Sequence, residues 1–126
     1  MDPKLMSVIV LLILDFLWIG LFMNNQYKSM IRDVQKTDMK PKLPFAVLSY
    51  SLMVIGLLYF VLPNIRKDSV EDCLKYGFLF GIILYGVYDF TAAAVLKDWK
   101  MNVALIDILW GGTVYFITSY VYCKTI

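Results

Sequence analysis

The sequence predicts an all-α integral membrane protein, a bundle of four transmembrane helices in one domain spanning residues 1–126. Two compositional observations and one pattern predict it. Hydrophobic residues make up 60% of the chain and charged residues only 17%, with a mean hydropathy of +0.69. A soluble domain of this length has too little interior to hide so much apolar surface. Apart from three aspartates, every charge falls outside or at the ends of four long apolar segments.

A spanning helix needs roughly 20 mostly apolar residues to cross about 30 Å of hydrocarbon. The first such segment runs over 5–23 and is too long, and carries Asp15, for the apolar region of a cleaved signal peptide. The second covers 43–62, with Pro44 in its first turn and Pro63 as its stop. The third covers 76–96 and the fourth 103–123. Trp99, between Lys97 and Lys100 in the short third loop, has the position of an interfacial anchor. The long first connection, 24–42, contains Ile31 and Val34 at helical spacing, a candidate interfacial segment. The first and third loops carry Lys28, Arg32, Lys36, Lys40, Lys42, Lys97 and Lys100, while the opposite side carries Lys4, Arg66, Lys67, Lys75 and Lys124. The excess of basic residues in the first set places both termini outside.

Several function classes are excluded or left without support. A net charge of +2, without a block of like charge, offers nothing to nucleic acid. The chain has no histidine, and its two cysteines, Cys73 and Cys123, match no zinc or redox spacing, so no metal site and no cofactor is expected. Cys73 and Cys123 fall on the same predicted side, one before the third helix and one at the end of the fourth. That placement allows either free thiols or a bridge.

Three charged residues lie inside the apolar segments: Asp15, Asp89 and Asp107. An ionised aspartate at the bilayer centre costs about 2.5–3.5 kcal/mol on the lenient insertion scale, so the three are expected to face the bundle interior. At 1.5 Å per residue, Asp15 lies about 13 Å from the first-loop side, Asp89 about 10 Å and Asp107 about 6 Å from the third loop. Those loops share a side, so the three carboxyls occupy one half of the bilayer and can converge. No lysine or arginine within the spans neutralises them. Like charges repel strongly in a low-dielectric pocket, so at least one of the three is expected to hold a proton near neutral pH, with coupled titration.

Neighbouring residues follow the carboxyls. Gly77, Gly81, Tyr85, Asp89 and Ala93 recur every fourth position on the third helix. Gly77-x-x-x-Gly81 permits close backbone approach, within the chain or between copies in a homo-oligomer. Asp107, Trp110, Gly111 and Thr118 share a broad face of the fourth helix, and Asp15 pairs with Trp18 on the first. Tyr50, Ser49 and Ser51 of the second helix are available as purely structural hydrogen-bond partners.

The segments LDFLWIG (14–20), LYGVYDFT (84–91) and IDILWGG (106–112) resemble a family of small membrane proteins catalogued only as a domain of unknown function. Its pattern is similar to D-x-x-W-x-G in the first helix, Y-D-x-T-N in the third and D-x-x-W-G in the last. YSLMVIGLLYFVLP, from Tyr50 to Pro63, resembles its second helix. The resemblance covers nearly the whole chain and adds Tyr88 and Thr91 to the candidate site, whereas Ala92 stands where the family pattern has asparagine. The two D-x-x-W copies lie on helices that run in opposite directions, the arrangement of an inverted repeat.

The leading expectation is a small channel or carrier for protons, cations or amines, with Asp15, Asp89 and Asp107 lining the path and Tyr85, Tyr88, Thr91, Trp18 and Trp110 around it. One alternative is a membrane-embedded enzyme acting on lipid, with a protonated carboxyl and Tyr85 or Tyr88 in acid–base roles. The other is a pocket for an apolar ligand or pigment against Trp18 and Trp110. The sequence contains no phosphate loop and no nucleophile beside a base, so no catalytic residues are assigned.

Overall fold

The computed structural model describes residues 2–18, 32, 43–96 and 99–126. The end of the first expected span, the first-loop segment around Ile31 and Val34, Gly20 and Lys97 lie outside the described residues. The described residues are helical almost throughout and contain no strand. They carry α1 (Pro3–Leu17), α2 (Pro44–Asn64), α3 (Val70–Val95) and α4 (Met101–Thr125). Helices α2, α3 and α4 are each long and apolar enough to cross a membrane.

Local chemistry sets the helix ends. The carboxylate of Asp2 accepts from the backbone N–H of Lys4, and Pro3 occupies the first turn of α1, where its missing N–H costs nothing. From there Ser7, Leu11 and Asp15, four apart, form the buried edge of α1. At the far end of α2 the chain widens into a π-helical turn over Leu57–Val61, then tightens over Leu62–Asn64 around Pro63. One turn before the widening, the Met53 carbonyl receives the Tyr115 hydroxyl of α4 at 3.0 Å.

The α2–α3 connection is a polar knot. Ser69 Oγ accepts from the backbone N–H of Asp72, which opens α3. The Arg66 guanidinium donates to both oxygens of Asp72, from Nε at 2.8 Å and Nη2 at 3.2 Å, and the Arg66 backbone N–H adds a third bond at 3.0 Å. Asp68, in the left-handed region at φ 59°, donates its N–H to the Cys123 carbonyl at 3.1 Å, and its carboxylate receives Lys124 Nζ at 3.2 Å. These bonds place the α2–α3 connection at the C-terminal end of α4.

Helix α4 is the hub: 50% of its most apolar stretch is buried, against 22% for α2 and for α3. It packs along α3 through glycines. A methyl group on Gly81 would collide with the backbone of Gly111 and Gly112, one on Gly77 with Ser119 and the Tyr115 carbonyl, and one on Gly112 with Ile82 and Phe78. The Gly77–Gly81 face is therefore filled by the chain's own α4.

Helix α1 lies against α4 in the opposite direction. Its Trp18 end packs beside Ala92, Trp99, Val103 and Ala104, whereas Val8, Leu11 and Leu14 join the cluster that contains Val114 and Tyr115. The outer surfaces are strongly apolar, with Phe16, Leu52, Tyr59, Phe60 and Val95 each more than 65% exposed. A water-soluble monomer does not carry so much exposed apolar surface.

Candidate functional site

The helix packing brings the carboxyls of Asp15, Asp89 and Asp107 into one region. Asp15 of α1 is 4% exposed, Asp107 of α4 is 8% and Asp89 of α3 is fully enclosed. Their partners cross between helices. Tyr85 of α3 donates its hydroxyl to Asp15 Oδ1 at 2.6 Å, and Tyr50 of α2 also interacts with Asp15. Trp18 of α1 donates its indole N–H to Asp107 Oδ1 at 3.3 Å. Asp107 in turn interacts electrostatically with both Asp89 and Asp15. The order in space is thus Asp15, Asp107, Asp89, with Asp107 in the middle.

Among the described residues, no three of histidine, cysteine, aspartate and glutamate gather closely enough to hold a metal ion. Asp89 stands apart in one respect: neither of its carboxyl oxygens has a hydrogen-bond partner of full geometry. It faces the Asp107 carboxyl and the Trp99 indole. A bare carboxylate in such a position loses its hydration without replacement, so a proton or a cationic donor has to balance it.

Small residues and aromatic rings build the walls. Gly111 gives the Tyr85 ring its place, since a side chain at 111 would overlap the ring beside its Cβ. Trp18 and Trp110 stack on each other at 4.6 Å between centroids and 5° between planes. The indoles cover each other rather than leaving a gap between them for an aromatic ligand. Thr118 is buried on the α4 face, with its hydroxyl returned to the Val114 carbonyl at 2.7 Å.

Two candidates lie elsewhere. Thr91 is on the exposed side of α3, away from the carboxyls. Tyr88 is 54% exposed, and its ring meets Trp99 edge-on at 6.2 Å. Trp99 itself is turned inward against Ala92, Val103 and Ala104. Its indole is thus buried beside Asp89. Trp99 is the site residue that sequence reasoning missed. Its one signal is its position between the helices that carry Asp89 and Asp107.

The family model described as Predicted membrane protein (DUF2177) matches residues 4–123. The chain belongs to this family. The match spans α1 to α4 and includes Asp15, Asp89 and Asp107. No curated protein and no solved structure matches the chain. Family membership establishes a membrane protein of unknown function, with multi-pass insertion in keeping with the three long apolar helices.

Proposed function

We propose that this member of the family is a four-span membrane transport protein that moves protons along Asp15, Asp107 and Asp89. The fourth span is the segment 5–23 expected from the sequence, of which the 15 described residues of α1 begin the crossing with about 22 Å of helix. The single observation that carries the reading is the enclosed Asp89 carboxyl, which faces the Asp107 carboxyl without a hydrogen bond of full geometry. Intramembrane ionisable groups mark ion and proton pathways by default, and a line of carboxyls passes a proton more readily than it cages a metal. Asp107 is the exchange point, since it interacts electrostatically with both other carboxyls.

The test is proton flux into liposomes that contain the purified protein, driven by an imposed potential and read with an enclosed pH dye. Flux above that of empty liposomes, lost in Asp107→Asn and in Asp89→Asn, supports the proposal. Flux no greater than the empty control, or unchanged in both variants, removes it.

The Tyr85–Asp15 bond favours a second reading, a lipid-directed enzyme in which the carboxylate holds a tyrosine ready for acid–base work. Turnover of a bilayer lipid without flux, lost in Tyr85→Phe, distinguishes it.

A further inference from the structure

Helices α3 and α4 run antiparallel in a register that their closest contacts fix. Gly77 lies against Ser119, and the Tyr85 ring lies over Gly111. Asp89 stands one turn beyond Tyr85 and Asp107 one turn before Gly111, so the same seam sets the two carboxyls opposite each other. The groups that act on Asp89 there are the Asp107 carboxyl and the Trp99 indole. Asp107 is acted on in addition by Asp15 and Trp18, both of α1.

An ionised carboxylate only accepts hydrogen bonds. Two of them face to face have nothing to exchange, and out of water they repel strongly. The apolar segments that carry them contain no lysine or arginine to relieve this. One proton does, because it turns one acceptor into a donor and leaves the pair with a single charge. The donors already in place decide which carboxyl takes it. Asp107 Oδ1 receives the Trp18 indole at 3.3 Å, and Asp15 receives the Tyr85 hydroxyl at 2.6 Å. Asp89 is fully enclosed and has no donor of full geometry on either oxygen. A negative charge is therefore least supported on Asp89.

We propose that Asp89 is a resident carboxylic acid whose O–H donates to Asp107, the carboxylate of the pair. As a step in transport, which rests on the reading above, Asp89 is the loaded site and Asp107 the receiving one. The acid itself is read without flux, so the two ideas fail separately. Absent flux from a protein that holds the acid removes transport alone, and flux without the acid removes this assignment alone.

Infrared absorption of the full chain at neutral pH, in a detergent without ester groups, reads the acid directly. Only a protonated carboxyl absorbs as a carboxylic C=O, and ordinary aspartates and glutamates are ionised at this pH. The parent is expected to show one such band, moved to lower frequency by 13C at the aspartate side-chain carboxyls. Asp89→Asn is expected to abolish the band, and Asp107→Asn to keep it but shift it, since the acceptor of the O–H has changed. If Asp89→Asn yields no folded protein, Asp89→Glu serves in its place: its acid band no longer responds to the aspartate label. The proposal is overturned by a parent without the band, by a band that survives Asp89→Asn or still follows the label in Asp89→Glu, or by one that Asp107→Asn leaves unmoved.

Discussion

The Tyr85 hydroxyl and the Asp15 carboxyl, on different helices, meet at 2.6 Å. Tyr85 shares a helix stripe with Asp89, one turn away, yet it serves the carboxyl of another helix. Its ring fits because position 111 carries no side chain. Tyr85→Phe is therefore expected to keep the fold while leaving Asp15 short of a donor, at a cost of about 1–3 kcal/mol. Thermal unfolding of the detergent-solubilised protein measures the loss. A variant as stable as the parent indicates that Tyr50, Trp110 or water replaces the bond.

Glycines 81 and 86 make opposite forecasts from similar burial. A Cβ at Gly81 runs into the α4 backbone, which has no flexible end to move aside. Gly81→Ala is expected to push α3 from α4 and to cost about 1–3 kcal/mol by overpacking. At Gly86 the added atom meets only the Phe90 ring, at 4.0 Å, an ordinary contact. Gly86→Ala is expected to be neutral or to stabilise by up to about 1 kcal/mol through reduced backbone freedom. Equal unfolding midpoints for the two variants would contradict the observed register of α3 on α4.

Asp89→Asn keeps the shape of an enclosed side chain and removes its ionisable group. The neutral amide is cheaper to bury than an unpaired carboxylate, so the fold is expected to survive. Because Asp107 faces Asp89, the substitution is also expected to alter how Asp107 takes up protons. Infrared difference spectra of the carboxyl stretch against pH, in parent and variant, report this. Identical titration of the remaining carboxyls would break the site into separate groups.

Cys73 and Cys123 are free, fully buried and in contact, at the end of the bundle where Asp68 is bonded to the Cys123 carbonyl and to Lys124. Neither thiol is expected to react with maleimide in the folded protein, and both are expected to react after denaturation. A dithiol-directed oxidant is expected to join them as the two thiols surrender two protons and two electrons, giving a faster gel band that Cys73→Ser abolishes. Rapid labelling of either thiol in the native state would place them outside the core.

The arrangement of long apolar helices and the inward placement of three aspartates were legible without coordinates. Both follow from the cost of placing polar groups in hydrocarbon, which acts on composition and depth alone. Asp15, Asp89 and Asp107 announce themselves because nothing else charged lies inside the apolar segments. The D-x-x-W pairs and the Gly77–Gly81 spacing were equally visible, though not what they pack against.

Tertiary structure alone decided the partners. Trp18 serves Asp107 rather than its own helix neighbour Asp15, Tyr85 serves Asp15 rather than Asp89, and Gly81 admits the backbone of α4. It also turned Trp99 inward and Thr91 outward. The physical reason is rotational. A helix that is apolar on every side carries no stripe to show which side faces its neighbour, so interhelix register is left to the contacts of side chains that meet only after the helices pack.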